Sequence, residues 1–232
     1  MNFNYQSQQY TLDASPSALR MQVLRSTYLL LALSMIPTAI GALLGINLSF
    51  MFLRSSPILG TLMLLGGMYF MMFMVEKNKY SFAGVVWMMA FTFLMGLILG
   101  PLLQVALRIS NGGQLITLAA VLTTAVFCAM SAIAFTVKRE MPFLTNFLMI
   151  GGIVIFIAVI ANIFLQLPMM HLMLCGAFVI FSSLMILWQV HQIVMGGETN
   201  YISATLSLYI SVYNLFTSLL QILLAFSGND RR

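Results

Sequence analysis

The sequence predicts an all-α integral membrane protein, a single bundle of about seven transmembrane helices. Composition comes first: 61% of the 232 residues are hydrophobic, 6% are charged and the mean hydropathy is +1.02. A soluble domain carries about 25% charged residues, so this chain cannot clothe a water-facing surface. Second, the few charges divide the chain into long uncharged runs, and a crossing needs about 20 apolar residues. Third, the polar residues within the last run recur at helical spacing, which marks a helix with an inward face. A soluble enzyme, a nucleic-acid-binding domain and a disordered protein are excluded, and the first partner is the lipid bilayer.

Residues 1–20, rich in Gln, Asn and Ser, have no helical apolar period and predict a flexible cytoplasmic tail. The run 26–53 follows Arg20 and Arg25 and is far longer than the roughly 7–15 residues of a signal-peptide core, so it predicts a permanent helix. The runs 55–75, 81–107, 109–137 and 199–229 fit one crossing each. The run 141–197 has 57 residues and as one helix would be about 85 Å long, so it must fold back. The break falls at Gln166, Leu167 and Pro168, where proline removes a donor and restricts the residue before it. The bundle is therefore expected over 21–228, with a short C-terminal tail at 229–232.

The loops orient the bundle. With seven crossings, Arg20, Arg25, Lys77, Lys79, Lys138 and Arg139 fall on one side, and Arg54, Arg108, Arg231 and Arg232 on the other. Lys and Arg are retained in the cytoplasm, which places the N-terminus there and the C-terminus in the periplasm. A re-entrant last segment would move Arg231 and Arg232 inside, but 204–226 is long enough to span.

The five acids, Asp13, Glu76, Glu140, Glu198 and Asp230, all lie in tails or loops. Neutral polar groups occupy the spans instead. Ser207, Ser211, Asn214, Ser218 and Gln221 are spaced by four, three, four and three, which puts them on one face of the last helix. A polar face is costly against lipid, so this helix belongs in the middle of the bundle or beside a wet cavity. Ser182, Gln189 and Gln192 share a face of the preceding helix, and Asn162 and Gln166 form an i, i+4 pair before that. Hydrogen bonding between helices accounts for such residues at about 0.6 kcal/mol per bond. A conducting path is the functional alternative. Gly41 with Gly45 and Gly96 with Gly100 are GxxxG patterns that permit close helix approach.

No cofactor or metal site is expected. His171 and His191 lie at opposite ends of one segment without metal-binding context, and each is expected to be an interfacial histidine with a hydrogen bond. Cys128 and Cys175 sit in apolar runs as small hydrophobes. The twenty methionines are expected to be lipid-facing and core filler rather than a copper relay. There is no HExxH, no GxSxG and no pair of membrane-embedded aspartates, and nothing in the spacing requires a Ser211–His191 dyad. The protein is therefore expected not to be an enzyme.

The stretch GGETNYISATLSLYISVYNLF, residues 196–216, resembles the Bax inhibitor-1 family of seven-helix membrane proteins, in particular its bacterial inner-membrane branch. The resemblance also takes in LRSTYLLLALS at 24–34, FLMGLILGP ending at Pro101 and ANIFLQLP at 161–168, and covers about 20–226 in order. Its motif residues are Gly196, Gly197, Glu198, Thr199, Asn200, Tyr201, Tyr209 and Tyr213. The resemblance implies two layers of three helices around a central seventh. It also implies two activities. One is binding to the ATP-dependent FtsH membrane protease and modulating it in membrane-protein quality control. The other is a pH-gated calcium leak whose sensor is a pair of aspartates on the last two helices. Those positions fall at Gln189 and Ser211, with Ser207 and Asn214 completing a candidate polar centre. Two carboxylates can switch with pH because like charges resist joint ionisation, and Gln with Ser cannot. The first activity is thus the expected function, and a cation leak without the acidic sensor is the alternative.

Overall fold

A computed structural model describes residues 16–47 and 57–229 as seven α-helices, with no strand among them. They are α1 (Pro16–Asn47), α2 (Pro57–Lys77), α3 (Phe82–Leu107), α4 (Gly112–Thr136), α5 (Pro142–Leu165), α6 (Pro168–Met195) and α7 (Tyr201–Asn229). Six of the described helices are long and apolar enough to cross a membrane. The remaining one, α2, has 21 residues and no charge before Glu76. The chain is an all-α membrane protein, as its composition predicts. Residues 1–15 and 230–232, with Arg54, Asp13 and most of both expected tails, lie outside the described residues. Residues 16–20 begin α1, although the composition of that stretch had grouped them with the tail.

The long uncharged run folds back where proline demands it. α5 ends at Leu165, Gln166 takes the left-handed conformation (φ 50°), and its N–H closes the turn on Asn162 O at 2.8 Å. Pro168 then opens α6, where its missing N–H costs nothing. α6 ends at Gly196, whose φ of 82° suits a residue without a Cβ.

Two sets of three helices form around α7. In the first, α3 packs on both α1 and α2. In the second, α6 packs on both α4 and α5. α7 touches α1, α2, α3, α4 and α6, and so has the central position that its polar stripe predicts. The two GxxxG patterns meet each other. A Cβ on Gly41 would strike Phe93 O, one on Gly96 would strike Thr38 O, and one on Gly100 would strike the Gly45 backbone. α1 and α3 therefore touch backbone to backbone, which only glycine permits. The core runs from the first layer through α7 to α6: Val75, Met88, Phe91, Ile186, Val190, Ile193, Leu208 and Leu215 are all fully buried. On the outside, α5 exposes Ile150, Ile153, Val154, Phe156 and Ile157, an apolar surface suited to lipid.

Candidate functional site

The family-like motif forms the connection between α6 and α7. The N–H groups of Gly197 and Glu198 both donate to Gln192 O, at 2.8 and 3.2 Å, which closes the end of α6. The Glu198 carboxylate accepts the Asn200 N–H at 2.8 Å. Asn200 Oδ1 in turn accepts from Ile202 N at 2.9 Å and Ser203 N at 3.2 Å, capping α7. Its Nδ2 donates to Lys79 O at 2.9 Å in the turn between α2 and α3. One side chain thus starts the central helix and holds the first layer to it. Beside that turn, Lys79 pairs with Glu76 at 3.1 Å, and this hydrogen-bonded carboxylate pushes the ammonium above its ordinary value.

Arg20 joins the same end. Its Nη1 donates to Val194 O at 3.4 Å, which places a cation at the negative end of α6. A Cβ on Gly196 would lie 2.8 Å from Arg20 Nε, so the glycine leaves room for the guanidinium. A cleft of about 550 Å³ lies here, lined by Arg20, Ser26, Gly196, Glu198, Thr199 and Tyr201 among others.

The candidate polar centre lies further along α6 and α7. Gln189 and Ser211 are both buried, at 3% and 5% exposure, but no hydrogen bond joins them. Ser211 instead donates to Ser207 O, one turn back, at 2.9 Å. Ser207 and Asn214 are half-buried. Asn214 shares a cavity of about 320 Å³ with Asn162, His171 and Gln221. His171 Nε2 lies 2.7 Å from Gln221 Oε1, so this histidine has the hydrogen bond its position predicts. His191 does not follow that expectation. It is buried at 3% exposure, and its Nε2 has no partner, because the packing of α6 turns it inward. Ser211 and His191 are not hydrogen-bonded to each other. The three acids among the described residues, Glu76, Glu140 and Glu198, all lie at helix ends or in loops. No group of three or more His, Cys, Asp or Glu among the described residues is placed to hold a metal.

Tyr209 and Tyr213, known from the sequence only as motif residues, connect the centre to the first layer. Thr38 Oγ1 donates to Ser34 O, so the Tyr209 hydroxyl donates to Thr38 at 2.8 Å, with Thr92 O at 3.4 Å as a second acceptor. Tyr213 donates to Met95 O at 3.2 Å. In the sequence Arg20 stands out only as an orienting charge, and Thr38 and Thr92 carry no signal. Two of these bonds end on backbone carbonyls, for which a sequence carries no sign.

A multi-pass helical membrane protein with a central capped helix and no acid within its spans is the class these features define. Comparison gives the family. The sequence model described as "Inhibitor of apoptosis-promoting Bax1" matches residues 20–228, and the chain belongs to this Bax inhibitor-1 family. An uncharacterized protein of Neisseria meningitidis is 46% identical over 90% of this chain and 92% of its own length. The Escherichia coli K12 protein named "Modulator of FtsH protease YccA" is 43% identical over 90% of this chain and 92% of its own. The counterpart in E. coli O6:H1, at the same identity and coverage, is named "Inner membrane protein YccA".

Proposed function

We propose that this protein is a non-enzymatic regulator of the bacterial inner membrane that binds an FtsH-type protease and modulates its action on other membrane proteins. The 43% identity to a relative named as an FtsH modulator carries this reading. The charge pattern supports a cytoplasmic position for the motif end, since Arg20, Arg25, Lys77, Lys79, Lys138 and Arg139 gather there. In this reading the residues ahead of α1 are the handle the protease meets. Arg20, tied to Val194 O, fixes the root of that handle against the motif connection. Co-purification from native membranes with the protease, and a longer half-life of its membrane substrates on overexpression, are the expected results. The absence of both enrichment and any change in half-life would sink the reading. Deleting residues 2–15 is expected to weaken the effect while leaving the bundle folded.

The second reading is a cation leak through Gln189, Ser211, Asn214 and Ser207. It is favoured by two buried polar side chains, Gln189 and Ser211, that do not bond to each other. Calcium-indicator liposomes separate the two readings. Calcium entry no faster than in protein-free vesicles is expected; a strong flux that does not vary with pH would replace the first reading with the second, and one that rises and falls with pH would show that Gln189 and Ser211 are not the positions that set gating.

A further inference from the structure

We propose that the groove between α1 and α4 holds one acyl chain of a bilayer phospholipid, with the lipid's phosphate at Arg108. α1 and α4 belong to different layers and their backbones stay apart, meeting at the groove's near end through the edge-to-face contact of Tyr28 with Phe127, ring centroids 5.8 Å apart. Between them lies a cavity of about 680 Å³, backed by α7 and bounded on one side by Leu99 and Leu103 of α3. Its walls carry short side chains that leave it open to the outside: Ala32 and Ala39 on α1 and Ala120 on α4 are all exposed. The groove runs from Tyr28 to Ala42 along α1, about 21 Å at 1.5 Å per residue, which is the shape of a chain and not of a compact ligand.

Apart from the Tyr28 hydroxyl, which is buried without a partner at the groove's near end, the polar side chains along the groove are already spent. Thr38, Thr123 and Thr124 each donate to the carbonyl four residues back in their own helix, so they present methyl groups. The Tyr209 and Tyr213 hydroxyls bond to Thr38 and Met95 O, leaving their rings as the floor. A slot whose one unpartnered hydroxyl lies at its near end offers too few polar partners to hold water or an ion along its length. At the depth of the bilayer, and continuous with the lipid-facing surface, it suits a hydrocarbon chain.

Charge supplies the orientation. The groove's far end is bounded by Leu103 on α3 and Ile116 on α4, and the loop joining these helices carries Arg108. Arg108 is exposed and makes no ion pair or side-chain hydrogen bond among the described residues. A guanidinium at the membrane interface matches phosphate with two parallel bonds.

Native mass spectrometry of protein extracted from mixed phosphatidylglycerol and phosphatidylcholine vesicles tests this. The wild type should retain a single phospholipid, with phosphatidylglycerol preferred. Ala39→Trp and Ala120→Trp, which plug the slot from opposite walls, should each lower retention about tenfold or more. Val154→Trp, on the outer face of α5, should not. Arg108→Gln should remove the headgroup preference and leave chain binding in place. Circular dichroism and elution volume identify the folded variants. A measurement on the wild type needs no variant: an equimolar lipid spin-labelled along its chain should broaden the methyl signals of Ala39 and Ala120 more than those of Val154. The proposal is overturned if the wild type retains no lipid, or if folded Trp variants retain as much as the wild type. Equal broadening at all three sites, or a doubled mass showing a second copy in the groove, would also overturn it. An unchanged headgroup preference in Arg108→Gln would overturn the role of that residue.

Discussion

α1 and α3 of the first layer and α5 and α6 of the second use the same residue type to opposite ends. In the first layer, Gly41, Gly45, Gly96 and Gly100 meet across α1 and α3 with no space for a methyl group on any of them. In the second, a Cβ on Gly151 or Gly152 would meet only the Phe181 ring, at 3.4 Å or more, and one on Gly176 would meet nothing within 4 Å. α4 and α5 do not touch among the described residues, and α5 packs on α6 alone. A glycine pair is thus informative only when a second pair faces it. The consequence reaches the site: the close-packed layer presents Thr38, Thr92 O and Met95 O at fixed positions for the tyrosines of α7. The second layer supplies Gln189, the unpartnered His191 Nε2 and the cavity beside Asn214. The first layer is the frame, and the second is where the interior has room to change.

The sharpest break of this contrast is Gly96→Ala. The new methyl would strike Thr38 O and approach Ala42 N to 3.0 Å, both backbone atoms that cannot swing aside. A loss of about 3 kcal/mol is expected, read as a large drop in thermal stability in detergent. Next in size is Asn200→Ala, which removes the cap of α7 and its bond to the α2–α3 turn together, at about 2 kcal/mol. Asn200→Asp keeps an acceptor for Ile202 N and Ser203 N but has no donor for Lys79 O, so it should fall between the two. If Asn200→Asp were as damaging as Asn200→Ala, the cap would not be the larger part of the residue's role. Tyr209→Phe tests the frame's grip on α7 and should cost about 1 kcal/mol. Its counterpart in the second layer is Thr145→Val, which keeps the shape of the side chain and removes the acceptor of the bond from Trp188 Nε1 that ties α6 to α5. About 0.6 kcal/mol is expected there.

Much of the frame was legible in the sequence because it depends on signals local to the chain. Pro168 after an overlong apolar run predicted the fold-back, and the stripe from Ser207 to Gln221 predicted the central place of α7. Asn200 and its neighbours stood out as a motif. The cap they form was not read, because a cap depends on which backbone N–H groups are left without partners. The GxxxG patterns were visible, but their facing each other was not, since pairing is a property of tertiary packing. The polar centre was the least legible part. Gln189 and Ser211 were placed together by resemblance, and both are buried, yet Ser211 turns to its own helix. A serine in a helix can always bond one turn back, so its spacing alone cannot say which partner it takes.

The smallest effect gives the most delicate test of the second layer. Gly176 lies inside α6, where glycine is a poor helix former, and a Cβ there would meet nothing within 4 Å. Gly176→Ala should therefore stabilise the protein by about 0.5 kcal/mol, through the lower entropy of the unfolded chain. A slightly raised melting temperature in detergent is the expected reading. The same substitution at Gly96 should lower it, so the pair gives opposite signs for one chemical change. If Gly176→Ala were destabilising in the bilayer but not in detergent, the space beside it would be filled in the membrane by a neighbour that detergent removes. The looseness of the second layer would then belong to the isolated chain alone, and the contrast between the layers would narrow to the glycine contact of α1 with α3.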